Sequence, residues 1–282
     1  MSSDDFSDAA LVLIGHGSTS NESSSEPVYQ HAAALRHLGI FAQVAEGFWK
    51  QEPSIRRVLL GVQTPRIFVV PLFISAGHFS EEVIPRELGF KQEGDLDFSR
   101  VQSGSGRKLY YCHPVGTHPG MTQVLLASAR DVVSQSVSAQ EPKEEETTLL
   151  ILGHGTKANA ASRKSVEYQA QTIRSRGIYA DVHALFLEEE PLVADWHTYV
   201  RTYQVVAVPF FMSEGLHAFE DIPVLLGESE SLVQERLRTC QPAWNNPTEM
   251  HGHLLWYAPG MGADPRVGEI ILDRVREMAQ ER

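Results

Sequence analysis

Residues Leu11–Ser18 read Leu-Val-Leu-Ile-Gly-His-Gly-Ser, four apolar residues running straight into a histidine held between two glycines. A short unbroken apolar run is the pattern of a strand buried on both faces, as in a parallel sheet. Gly15 and Gly17 let the chain turn sharply and let another group come close to the backbone. His16 is then displayed at the carboxyl end of a strand, the edge where open α/β sheets bind ligands. The same pattern returns at Leu149–Thr156, Leu-Leu-Ile-Leu-Gly-His-Gly-Thr.

The recurrence extends well beyond the motif. Shifting the chain by 138 residues superposes Gly15–Gly89 on Gly153–Gly227 without a gap, and about one position in three is identical. Gly39/Gly177, Pro53/Pro191, Pro71/Pro209, Gly77/Gly215, Glu82/Glu220 and Pro85/Pro223 are among the matches. Each copy is domain-sized, too long for a solenoid repeat. The reading is an internal duplication: an N-terminal domain over 1–137, an acidic linker over 138–147 and a C-terminal domain over 148–282.

Within each copy, apolar runs alternate with helical patterns. In the first, strands are predicted over 11–14, 40–48, 67–73 and 108–112. A helix is predicted over 26–38, with Val28, Ala32 and Leu35 on one face and Gly39 as its C-terminal cap. The stretch 90–107 is a polar, Gly-rich insertion, and its counterpart at 228–252 is longer. Alternating strands and helices imply an α/β fold, here two tandem domains. Each is a parallel sheet of about four strands with helices on both faces. Right-handed crossovers place the strands' carboxyl ends on one edge.

Composition narrows the function. A charged share of 21% and a hydrophobic share of 42% fit a globular chain of ordinary type. A net charge of −12 disfavours nucleic acid as a partner, since such binding depends on neutralising phosphates. No apolar run approaches a membrane span, and the acidic N-terminus lacks the pattern of a signal peptide. Two cysteines without a Cys-x-x-Cys argue against a disulfide framework or a cysteine zinc site, and fit a reducing cytoplasm. Twelve histidines are the notable count.

If the carboxyl ends of strands one and three share an edge, His16 meets the loop containing His78, and His154 meets the loop containing His217. Two imidazoles with a nearby carboxylate can hold a divalent metal while leaving coordination positions open, as transient binding requires. His16, His78, His154 and His217 are therefore the candidate metal ligands.

These residues resemble a known family. Gly-His-Gly after strand one, Pro-Leu-Phe or Pro-Phe-Phe at the end of strand three, and Gly215–Pro223 (Gly-Leu-His-Ala-Phe-Glu-Asp-Ile-Pro) are similar to CbiX-type sirohydrochlorin chelatases. The resemblance covers about residues 10–125 and 148–280. It implies ATP-independent insertion of cobalt or ferrous iron into sirohydrochlorin or a related tetrapyrrole, in cobalamin or siroheme synthesis. The divalent metal is the substrate, with no nucleotide cofactor. The first copy departs from the pattern, with Phe79 at the family's histidine position and His78 one residue earlier.

Metal insertion needs a partly dehydrated cation and removal of two pyrrole protons, so Glu82 and Glu220 join the four histidines as proton acceptors. A polycarboxylate macrocycle needs N–H or cationic partners. Gly15, Gly17 and Ser18, and Gly153, Gly155, Thr156 and Lys157, lie in loops that open helices and offer such groups. The duplicated chain is compatible with a monomer or a homodimer. A histidine phosphatase would need arginine before the histidine, where this chain has glycine. A chelatase-derived protein that binds metal or tetrapyrrole without catalysis is the alternative reading.

Overall fold

In a computed structural model of the chain, residues 5–19, 24–136, 142–155, 160–213 and 220–281 are described. The first apolar run forms β1 (Ala9–Gly15), buried at every position. Next come α1 (Glu26–Leu38), β2 (Gln43–Phe48), the single turn α2 (Ile55–Val58), β3 (Arg66–Pro71) and the single turn α3 (Ile84–Glu87). They are followed by β4 (Val101–Gly104) and β5 (Arg107–Tyr111). The strand order is β2-β1-β3-β5-β4. β1, β2, β3 and β5 pair in parallel, while β4 lies antiparallel to β5 at the edge. Val12, Ile14, Val69 and Tyr111 pack beneath Ile55 and Ile84 as one core.

The second copy repeats this plan. α4 (Met121–Ser134) precedes β6 (Thr147–Gly153), α5 (Ala160–Arg174), β7 (Asp181–Phe186), the single turn α6 (Trp196–Tyr199) and β8 (Gln204–Pro209). Then come α7 (Ile222–Leu225), α8 (Glu230–Arg238), β9 (Thr248–Met250), β10 (His253–Tyr257) and α9 (Val267–Gln280). The order is β7-β6-β8-β10-β9, again with one antiparallel strand at the edge. Leu150, Leu152, Trp196, Ile222 and Trp244 form its core.

Four parallel strands per sheet match the sequence expectation. The fifth comes from the insertions, which the sequence presents as polar connections. Ser105 and Gly106 (φ 51° and 76°), like His251 and Gly252 (φ 51° and 81°), take the left-handed conformation that a two-residue hairpin turn requires. Such a turn folds each insertion back into a hairpin. The short, polar β4 is only partly buried, which suits an edge strand.

The chain divides into two compact units, Met1–Met121 with Gly262–Arg282, and Thr122–Met261. These are not the sequence copies 1–137 and 148–282: the closing helix of each copy belongs to the other unit. In the first unit α9 buries Val267, Ile270, Ile271, Val275 and Met278. Its buried Arg274 donates to the Pro114 carbonyl at 3.0 Å and the Thr117 hydroxyl at 2.7 Å. His31 of α1 donates to the Gly262 carbonyl at 2.7 Å. In the second unit Thr122 of α4 donates to Gln169 of α5 at 2.7 Å, and Trp256 donates to Ser136 at 2.8 Å. An apolar stripe records that a helix must be covered, but not which sheet covers it. Of the linker 138–147, residues 138–141 lie outside the described residues, Glu144–Glu146 form a 3-10 turn and Thr147 already opens β6.

Candidate functional site

Both Gly-His-Gly turns are built alike. A Cβ on Gly15 would stand 2.6 Å from Val28 Cγ2, and one on Gly153 2.5 Å from Val166 Cγ2. Gly17 and Gly155 are left-handed (φ +67° and +63°), and each is packed against the residues that follow the second strand. Those residues are latched to the turn. The amides of Trp49 and Lys50 donate to the His16 carbonyl at 3.1 and 3.0 Å, and those of Leu187 and Glu188 donate to the His154 carbonyl at 3.0 and 3.2 Å.

The latch also orients the imidazoles. His16 Nδ1 lies 2.9 Å from the Gly17 carbonyl and His154 Nδ1 3.2 Å from that of Gly155. A carbonyl only accepts, so Nδ1 carries the hydrogen and Nε2 keeps its lone pair for another partner. In the second unit Glu188 Oε1 is 3.7 Å from His154 Nδ1, an acceptor that favours the same tautomer. Sequence reading passed over Glu188; its signal was the run Glu188–Glu190 directly after β7, where the first copy has Lys50, Gln51 and Glu52.

The loop after strand three differs between the units. In the first, the Ser80 hydroxyl donates to the Ser75 carbonyl at 3.0 Å and accepts from the Gly77 amide at 3.0 Å. This tight loop carries Phe79 at the start of a wide helical turn, Phe79–Val83. The ring that meets His16 is that of Phe79, edge-on at 4.9 Å between centroids. Phe73 stacks on Phe79 at 5.9 Å. His78, expected to face His16, is exposed, its ring 5.9 Å from Phe79.

Glu82, expected to accept protons, is bound to the buried Lys91 at 2.6 Å, with Arg86 at 3.9 Å. Its hydrogen bond with Lys91 holds the carboxyl below the usual carboxylate range. The insertion thus supplies a counter-ion to Glu82, and Arg100 plays the same part for Glu81 at 2.6 Å. The Ser18 amide donates to Gln51 Oε1 at 3.0 Å.

In the second unit His217, Thr156 and Lys157 lie outside the described residues. Glu220 lines a cavity of about 370 Å³ together with Glu188, Asp221, Glu230, Leu187 and Val224. Glu230 comes from α8, so the longer insertion forms one wall. The position equivalent to Lys91 is Ser229, and no lysine from the insertion neutralises Glu220 as Lys91 does Glu82. Among the described residues no three histidine, cysteine or acidic side chains are grouped as a metal site. His154 and Glu188 are the described imidazole–carboxylate pair at a Gly-His-Gly turn.

The aromatic residues at the strand ends divide in the same way. Phe48, Phe186 and Phe210 are fully buried and belong to the core, whereas Trp49 is exposed beside the first turn. No helix among the described residues is long and apolar enough to cross a membrane.

The CbiX family model matches residues 10–132 and 148–278, once per copy. A protein of Halobacterium salinarum named probable sirohydrochlorin cobaltochelatase is 38% identical over 278 residues, 95% of this chain and 91% of that one. The sirohydrochlorin cobaltochelatase of Methanopyrus kandleri is 28% identical, and 47% of this chain covers 97% of it. Among solved structures, a multi-domain protein of Deinococcus radiodurans with structural similarity to chelatases superposes with a TM-score of 0.75 at 32% identity. That match covers 97% of this chain, which spans just over half (55%) of the Deinococcus protein. SirB of Bacillus subtilis shares the fold at a TM-score of 0.65 and 18% identity, over 96% of both chains.

Proposed function

Because the chain belongs to the CbiX family, we propose that it is a chelatase that inserts cobalt or ferrous iron into sirohydrochlorin without a nucleotide. The observation that carries this is the imidazole of His154 at the Gly-His-Gly turn, its Nδ1 3.2 Å from the Gly155 carbonyl and 3.7 Å from the Glu188 carboxylate, which sets an imidazole and a carboxylate side by side. The aquo cation exchanges water for an imidazole nitrogen of His154, and His217, the histidine of the sequence motif Gly215–Pro223, is assigned as its second imidazole ligand. Carboxylates of Glu188, Glu220, Asp221 and Glu230 around one cavity raise the local cation concentration and favour a partly dehydrated ion.

Two pyrrole N–H protons must leave as the metal enters the ring. Glu220 and Asp221, on the cavity wall beside α7, are the acceptors assigned to them. Relatives that carry one copy of the repeat are consistent with each copy having descended from a complete chelatase domain.

The test is anaerobic mixing of sirohydrochlorin with Co²⁺ or Fe²⁺ and purified protein, without nucleotide, followed by tetrapyrrole absorbance. Metallation over many turnovers above the protein-free rate is expected. Stoichiometric uptake of metal or tetrapyrrole without metallation identifies a carrier and refutes the proposal.

A further inference from the structure

The two sites share a backbone plan but not a chemistry. Equivalent positions carry Trp49 and Leu187, Lys50 and Glu188, Phe79 and His217, Arg86 and Val224. At each pair the first copy has the aromatic or cationic residue and the second the aliphatic, acidic or metal-ligating one. In the first unit the His16 ring is covered edge-on by Phe79, Phe73 stacks behind Phe79, and Trp49 lies 6.5 Å from it at 39% exposure. The neighbouring carboxylate, Glu82, is already neutralised by Lys91 and Arg86. Lys50 is exposed and makes no ion pair with a described residue.

A dipositive ion finds little here. The second imidazole position holds a phenyl ring, the carboxylate is occupied, and the exposed Lys50, two residues after β2, brings a positive charge where the second copy has a carboxylate. A flat, π-rich anion finds the reverse: ring faces and edges on which to stack, and an ammonium for a peripheral carboxylate. We propose that the first unit's site has given up metal ligation and seats the tetrapyrrole itself, with Trp49 and Phe79 against the macrocycle and Lys50 at one of its carboxylates. This inference rests on the tetrapyrrole function proposed above. It also explains how a chain of net charge −12 takes an anionic substrate, because the charge that matters is local.

The experiment measures two ligands separately. Metal-free sirohydrochlorin is titrated into the protein and followed by its own absorbance, and Co²⁺ uptake is measured by equilibrium dialysis. Trp49→Ala and Lys50→Ala each weaken tetrapyrrole binding roughly tenfold, and Trp49→Phe keeps most of it. These variants and His16→Ala leave the Co²⁺ stoichiometry at the wild-type value. Far-UV circular dichroism establishes that each variant is folded. Variants that bind sirohydrochlorin as the wild type does, or a loss of Co²⁺ on His16→Ala, overturn the inference and leave the chelatase reading standing. Wild-type protein that takes up no sirohydrochlorin overturns both.

Discussion

The ring of Phe79 stands edge-on to the imidazole of His16, centroids 4.9 Å apart and planes at 82°, so a phenyl group contacts the histidine that the repeat would pair with a second imidazole. In the second copy the residue equivalent to Phe79 is His217, and the histidine equivalent to His16 has Glu188 beside it. Duplication supplied two scaffolds, and a few substitutions at their strand ends gave them different surroundings.

Activity should therefore depend unequally on the two histidines. His154→Ala is expected to lower the rate of metal insertion at least a hundredfold, and Glu188→Gln by roughly 10- to 100-fold, the usual cost of losing a partner that orients a ligating imidazole. His16→Ala should leave a larger fraction of activity than His154→Ala. Initial rates of tetrapyrrole metallation at saturating metal decide this, and equal losses for the two histidines would contradict it.

The left-handed glycines of the turns are predicted to be intolerant. At Gly155 a Cβ would sit 2.7 Å from both Phe186 Cβ and Glu189 Cγ, at φ +63°. Gly155→Ala should cost about 1–3 kcal/mol, read as a lower urea midpoint, and Gly17→Ala should behave similarly. Gly94→Ala meets no atom within 4 Å but is also left-handed (φ +93°), so comparing it with Gly155→Ala separates backbone strain from crowding.

Stability should fall with acid in a definite window. Burial, reinforced by the charges of Arg100 and Arg274, pushes His113 down to about 4. Burial also lowers His31, His118 and His183 below the ordinary 6.5. For these groups the folded pKa lies under the unfolded one, so between the two values the unfolded chain binds more protons. Stability is then complete above about pH 6.5 and declines as the pH drops toward 4. Melting temperatures measured at pH 7.5, 6.0 and 5.0 should decrease in that order, and His113→Asn should flatten the decline.

The exchange of closing helices predicts which fragments fold. Residues 122–261 correspond to a compact unit, whereas 148–282 correspond to a sequence copy that lacks the helix α4 covering its sheet. The fragment 122–261 should unfold cooperatively and 148–282 should not. Within the whole chain, Arg274→Ala removes the buried guanidinium's hydrogen bonds to the Pro114 carbonyl and the Thr117 hydroxyl, though Thr117 still donates to that carbonyl, and should cost about 1–3 kcal/mol. Chemical denaturation measures both effects.

Much of this molecule was legible from the chain alone. Leu11–Ile14 and Leu149–Leu152 are apolar without interruption, so each had to be a central strand buried on both faces, and glycine had to follow where Val28 and Val166 press against the turn. The order of strands and helices, the parallel pairing and the duplication follow from that local pattern, because a strand's periodicity is a property of its own residues. What touches what across long separations is not. That α9 covers the first sheet, that Lys91 neutralises Glu82, that Phe79 rather than His78 meets His16, and that Glu188 reaches His154 were decided by tertiary packing. Those outcomes depend on which way a loop aims successive side chains and which sheet a helix's apolar stripe settles on, and neither is written in residue spacing.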